Sequence, residues 1–342
     1  MHRLALLALA AALAAVPAAR AGGDWLPVAA TAGRIWVADG SRVLELDAAT
    51  ARVLRSVRVR FPYATELATG AGCIWAASVA QGFVAGAVTR ISAGADRGTN
   101  VLVLPQRPVY EVAATATTAW ALTGPHAHQR LARLAATSTG VRFVAVPSTL
   151  GFLAADPSGA VPGLFALTSR HVLLRYDDAG QATRIARIAS ASGPPAIGLG
   201  SVWLPGRSTL VRLDPATGRV EGRLRLAGAD ALTAVAGDAG VFLLELRRDR
   251  TTLLRVDPAR MRVTGRVALP AVAGERLALG ERFLWLTDSR RLLWRIDPRT
   301  LERVLFARPD GAVQSIGSVV NPEKLGHLGE LADLRALLRR RS

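Results

Sequence analysis

A short aromatic strand pattern returns seven times along the chain and limits its fold more than any other feature. It reads Ile35-Trp36-Val37, Ile74-Trp75-Ala76, Ala119-Trp120-Ala121, Leu164-Phe165-Ala166, Val202-Trp203-Leu204, Val241-Phe242-Leu243 and Leu284-Trp285-Leu286. Successive aromatic positions lie 39, 45, 45, 38, 39 and 43 residues apart, a period that suits one four-stranded propeller blade. A second signature follows several of these strands: Leu44-Glu45-Leu46-Asp47, Val211-Arg212-Leu213-Asp214-Pro215, Leu254-Arg255-Val256-Asp257-Pro258 and Trp294-Arg295-Ile296-Asp297-Pro298. Alternation along such a strand sends one set of residues into the core and points arginine or glutamate outward. Proline then presets φ for a tight turn, and the aspartate caps amides two or three residues on.

The units fall at about 25–60, 61–105, 108–147, 148–189, 193–227, 230–269 and 273–308. A helical solenoid is the structural rival at this period. It is disfavoured because the segments are β-branched and aromatic with period two, and Gly or Pro interrupts most potential helices. No Ser- or Pro-rich linker divides the repeats, so two separate domains are disfavoured too. Half of the 342 residues are hydrophobic, which supports a sizeable core and excludes a disordered chain.

The formal charge is +17, with Lys324 the only lysine among 43 basic residues. The arginines are scattered singly along strand-like segments, as at Arg52, Arg55, Arg58 and Arg60, and do not cluster beside stacking aromatics as in a nucleic-acid site. General attraction to polyanions, including anionic lipid headgroups and cell-wall polymers, remains an expectation.

Met1-His2-Arg3, the apolar run Leu4 to Val16, and Ala19-Arg20-Ala21 before Gly22 form a basic start, an apolar stretch of secretory length and a small-residue cleavage site. The reading is a signal peptide over 1–21, with a periplasmic or extracellular product and no transmembrane span. Cys73 is the only cysteine, so no intramolecular disulfide is possible and a buried thiol before Ile74-Trp75 is expected. After the last repeat, Asn321-Pro322-Glu323 starts a helix carrying Leu325, Leu328, Leu331, Leu334 and Leu338, followed by Arg339-Arg340-Arg341.

The strand Gly33-Arg34-Ile35-Trp36-Val37-Ala38-Asp39 and the run from Arg212 to Val220 resemble the YVTN-type and streptogramin lyase-like (virginiamycin B lyase-like) β-propeller repeats, over nearly the whole chain after residue 21. The resemblance implies a propeller. For the lyases it implies a histidine base with acidic metal ligands, the acid standing three positions after the aromatic residue. That position holds Asp39, Glu245 and Asp288, but Ser78, Thr123, Thr168 and Gly206 in the other repeats, and no histidine stands in a His-x-Glu arrangement. Quinoprotein dehydrogenases need a vicinal disulfide that one cysteine cannot form. Lactonases of the regucalcin type use asparagine ligands, whereas Asn100 and Asn321 are the only asparagines here.

In a four-stranded blade, the turn from the second to the third strand and the connection to the next blade share one end. Arg170, Arg207, Arg247, Arg248 and Arg290 are placed there, with His126, His128, Asp39 and Asp288 nearby. Guanidinium forks bind carboxylate and phosphate bidentately, so this end is the expected ligand site. His126-Ala127-His128 is a weak metal pattern without a third ligand, and no metal or other cofactor is expected. Tyr63-Ala64-Thr65-Glu66 and Val109-Tyr110-Glu111 recur at the start of two inner strands, for channel lining or packing between blades.

The expected protein is thus an all-β, seven-bladed β-propeller of four-stranded blades over 22–308, with an extension and short helix over 309–342. Its expected role is that of a non-catalytic binding or scaffold module for an anionic small molecule, a polysaccharide or a protein partner. The alternative is a streptogramin lyase-like enzyme with a metal-assisted site at the propeller mouth.

Overall fold

A computed structural model describes residues 26–125, 128–247, 250–269, 276–288 and 291–307. The expected signal peptide and C-terminal helix lie outside these. The first sheet runs β1 (Val28–Thr31), β2 (Arg34–Asp39), β3 (Arg42–Asp47) and β4 (Val53–Arg58). The second holds β5 (Tyr63–Gly70), β6 (Cys73–Val79), β7 (Gly86–Ser92) and β8 (Thr99–Leu104), and the third β9 (Val109–Ala114), β10 (Thr118–Thr123), β11 (Arg130–Ala135) and β12 (Val141–Ala145). The fourth holds β13 (Leu150–Ala155), β14 (Leu164–Thr168), β15 (Val172–Tyr176) and β16 (Ala182–Arg187). A six-stranded fifth sheet holds β17 (Ala196–Gly198), β18 (Ser201–Leu213), β19 (Val220–Gly237), β20 (Gly240–Arg247), β21 (Arg250–Asp257) and β22 (Arg262–Ala268). The last holds β23 (Arg276–Leu279), β24 (Leu284–Thr287), β25 (Leu293–Ile296) and β26 (Arg303–Ala307). All pairings are antiparallel between neighbours in sequence.

Seven separate four-stranded units were the expectation; the fifth and sixth instead share one sheet. The bridge Arg207↔Asp230 joins them, and β19 passes from one to the other through Gly228 at φ 68°. β18 itself folds back at Ser208, whose φ is 53°. Arg212 Nε lies 3.0 Å from Ser201 Oγ, whereas eleven residues of straight strand would span about 36 Å.

Alternation determines how the sheets stack. Ile35 and Val37 of β2 pack with Trp285, Leu293 and Phe306 of the last sheet, while Trp36 and Ala38 pack with Leu67, Ile74 and Ala76 of the second. The same rule holds along the chain. Trp36, Trp75, Trp120, Phe165, Trp203 and Phe242 each sit in the cluster shared with the residues that follow. Trp285, at the end of the series, sits in the cluster shared with the first sheet. Among the described residues no strand is exchanged at this seam. It is held instead by that apolar cluster, by Thr287 Oγ1 donating to Leu26 O at 2.6 Å, and by the ion pair of Arg291 with Asp39.

The Asp turns form in the first sheet, in both units of the fifth and in the last, at the end where the third strand of the unit finishes. Asp47 Oδ1 accepts from the Ala49 and Thr50 amides at 3.1 and 2.8 Å, and Asp214 from Ala216 and Thr217 at 3.1 and 2.7 Å. Asp257 and Asp297 repeat the pattern with Ala259 and Arg260 and with Arg299 and Thr300. The fourth residue after each aspartate has positive φ: Ala51, Gly218, Met261 and Leu301. Only Gly218 is also sterically obliged, since a Cβ there would stand 2.1 Å from Ile185 O.

These bonds hold all four carboxyls below the ordinary aspartate range: chiefly the Thr50 amide for Asp47, the Thr217 hydroxyl for Asp214, the Arg260 amide for Asp257 and the Thr300 amide for Asp297. A carboxyl depressed in the folded state adds stability above its unfolded value of about 3.9, and that stability is lost as pH falls through the folded value. The double variant Asp214→Ala, Asp257→Ala is therefore expected to lose less urea stability than the parent between about pH 4 and pH 2. An unchanged acid slope would show that these turns do not contribute.

Candidate functional site

Antiparallel alternation puts the start of each first strand, the turn from second to third strand and the end of each fourth strand at one end of every sheet. Register places Asp39, Arg42 and Arg58 together there in the first sheet, and Tyr63, Val79 and Gly86 in the second. The connection 59–62 runs from one sheet to the next at this end. The Asp turns lie at the opposite end.

The arginines divide into two groups. In one, a guanidinium reaches across to a later turn. Arg90 Nη1 donates to the Ala136 carbonyl and to Ser138 O at 3.1 Å, and Arg212 Nη1 to Pro258 O at 3.0 Å. Arg255 donates to Arg299 O, and Arg295 to Ala49 O at 3.5 Å, back on the first sheet. The first sheet has Glu45 at the equivalent position, and Arg55 opposite it substitutes. Arg55 pairs with Glu45 at 2.7 Å and donates to Ala95 O. Arginines expected to point outward are thus clasps between units, and Arg55 and Arg212 also cover the Trp36 and Trp203 rings at 5.2 and 5.6 Å.

The second group stands at the end where the first strands start. Arg42, Arg58, Arg60, Arg130, Arg170, Arg187, Arg207, Arg247 and Arg250 are all exposed. Arg42 and Arg58 are cross-strand partners, as are Arg247 and Arg250, and like charges placed opposite each other destabilise a sheet. Several acids at this end are engaged within the fold. Asp39 is bonded by Arg291 and Glu66 by Arg276 at 2.8 Å, and Glu111 Oε2 accepts from the Leu153 amide at 2.7 Å. At the opposite end the pattern reverses, and arginines pair locally: Arg34 with Asp47, Arg219 with Glu221 and Arg260 with Asp257.

Between the sheets lies a cavity of about 290 Å³, lined by β1, β5, β9, β13, β17, β19 and β23. Its wall is mostly alanine, valine and leucine, with Glu66, Thr69, Glu111, Thr233 and Arg276 as polar groups. Glu66 and Glu111 carry a sequence signal, being acids in otherwise apolar inner strands. Arg276 carries none, and it reaches Glu66 from a strand 210 residues further on.

Of the residues expected at the site, Arg170 and Arg207 are exposed at this end. Arg207 stands opposite Asp230 in register, and its amide donates to Ser190 O at 2.8 Å. Arg247 is exposed, and its guanidinium donates to Ala227 O. His128 is exposed, its amide donating to Pro125 O at 2.8 Å. His126, Arg248 and Arg290 lie outside the described residues. Asp39 is bonded by Arg291. Asp288 is buried: Oδ1 accepts from the Leu292 amide at 3.0 Å and Oδ2 from the Trp294 indole at 3.0 Å. Thr168 fills the same place in β14, its hydroxyl accepting from the Val172 amide at 3.0 Å. The position three past the aromatic is therefore a turn cap in these two sheets. Among the described residues no three His, Cys, Asp or Glu side chains gather as a metal site, and no helix is long and apolar enough to cross a membrane.

No family model matches the chain, and no curated protein matches it. Solved structures do. The dihydro-heme d1 dehydrogenase NirN aligns at TM-score 0.56 and 15% identity over 81% of this chain, which spans 66% of the NirN chain. A chain of the mitotic checkpoint complex aligns at TM-score 0.60 and 12% identity, over 77% of this chain and 87% of that one. The computationally designed protein Ika8 aligns at TM-score 0.54 and 11% identity, over 82% and 86%. These likenesses and the stacked antiparallel sheets give the chain a β-propeller fold.

Asp288→Ala is expected to cost about 1–3 kcal/mol, because two donors lose a buried acceptor, while Asp288→Asn, which keeps one acceptor oxygen, costs less. Urea unfolding measures both. Equal stability of Asp288→Ala and the parent would return Asp288 to the candidate ligand groups.

Proposed function

We propose that this chain is an exported, non-catalytic binding module, a seven-bladed propeller that takes an anionic ligand on the end where its first strands start. The observation that carries the reading is the charge arrangement there. Nine exposed arginines recur across the sheets, while Asp39, Glu66, Asp288 and Glu111 are consumed by bonds within the fold. Like-charge register pairs are a standing cost that a bound polyanion relieves, and low-dielectric walls strengthen such a field.

Seven blades follow if the fifth sheet counts as two units. The hairpin within β18, the kink at Gly228 and the seven inner strands around one cavity support that count. Export rests on the basic start, apolar run and cleavage pattern of residues 1–21. A binding or scaffold role suits a propeller in which two of the acids three past the aromatic are taken up by the fold, Asp288 as a turn cap and Asp39 by Arg291.

Replacing both Arg170 and Arg207 by alanine is expected to lower the salt needed for elution from a heparin column more than replacing Arg223 and Arg225, which are exposed on β19. Equal elution of the two double variants would mean that the attraction is generic and the end is not a site.

A further inference from the structure

The turn between β6 and β7 carries an apolar tip at the arginine-bearing end. Residues Gln81–Phe83 make one 3-10 turn in which Phe83 N donates to Ala80 O at 3.0 Å, inside a loop closed by Ala80 N donating to Ala85 O at 3.0 Å. Val84 behind it is 63% exposed, the highest value among the large hydrophobic residues described. Tyr63, the register partner of Val79 just before the turn, is 45% exposed. Phe83 holds φ 56° beside Gly82 at 72°, a conformation that costs a bulky side chain free energy and persists only where the surroundings impose it.

Cations stand at the same end of the sheet before this tip and on the connection that leads to it. Arg60 lies over the Phe61 ring at 5.9 Å, and Arg42 and Arg58 face each other at the same end of the neighbouring sheet. The turn at Gly40 lies against Pro62, since a Cβ built on Gly40 would stand 3.7 Å from Pro62 O. The remaining exposed arginines are spread over the ends of other sheets, not gathered into a pocket.

We infer that this end docks on an anionic lipid surface, with Val84, Phe83 and Tyr63 entering the interface and Arg42, Arg58 and Arg60 contacting the headgroups. The inference rests on the anion-binding reading above and narrows it to one source of anions. A small anion needs convergent forks, and a sugar chain offers little volume to an aliphatic tip. Exposed cations spread over the end that carries one apolar tip instead match a planar anionic interface, where electrostatic attraction and shallow insertion each supply part of the affinity.

The test uses Val84→Trp in the full chain, with vesicles of phosphatidylglycerol and phosphatidylcholine compared with pure phosphatidylcholine. Anionic vesicles are expected to shift the emission of the new tryptophan to the blue, and brominated acyl chains to quench it. Sedimentation without quenching would mean that another segment makes the contact and would overturn the inference. In the parent background, Val84→Ser is expected to weaken vesicle binding about tenfold, and each of Arg42→Ala and Arg58→Ala about fivefold at low salt. Heparin retention should fall in the arginine variants and stay unchanged in Val84→Ser. Heparin binding without vesicle binding would overturn the lipid inference and leave the anion-binding reading standing. Loss of both would overturn the two together.

Discussion

Strand alternation couples each sheet to both neighbours, and the remaining architecture depends on that coupling. On the second strand of every unit one residue set enters the cluster behind and the other the cluster ahead, as Ile35 and Val37 do against Trp36 and Ala38. The aromatic side chain always faces ahead. Because Trp285 at the end of the series faces the first sheet, the last sheet packs on the first with no strand exchanged among the described residues. Side-chain packing at the seam does the work that main-chain pairing does inside each sheet.

The arginines then acquire two meanings. Arg90, Arg212 and Arg255 fasten one unit to a later turn, and Arg295 the last unit to a turn of the first, through backbone carbonyls. Their stems cover apolar surface while the heads stay polar. At the other end, among the described residues, Arg247 alone of the exposed group reaches a carbonyl of another unit, that of Ala227, and acids there are held by Arg291, Arg276 and backbone amides. The acids of the Asp turns gather at the opposite end. The two ends therefore differ in how their arginines are partnered, although the chain writes arginine almost everywhere.

The fold was legible because its signals are local. Period-two alternation, an aromatic residue every 38 to 45 positions and an aspartate two or three residues before its own turn amides all lie within one short segment. The shared fifth sheet was not legible, since Gly228 and Ser208 act through backbone angles that their identities permit but do not announce. Nor were the clasps, which join residues 40 to 48 positions apart or, for Arg295 and Ala49, 246 apart. At the candidate site, placing Arg170 and Arg207 on one exposed end needed only strand order. That Asp288 serves Leu292 and Trp294 depended on the shape of its turn. The pairing of Glu66 with Arg276 required the seam between the chain's two ends.

That seam is where the account is most exposed to contradiction. Trp285 is buried against the first sheet, with its ring 4.7 Å from Phe306 and 6.1 Å from Phe283. Urea unfolding of Trp285→Ala, followed by circular dichroism, tests the claim most directly. If packing between the last and first sheets holds the stack together, the variant should lose about 3–5 kcal/mol and unfold at a clearly lower midpoint. A loss below about 1 kcal/mol, the size expected for a surface substitution, would contradict the account.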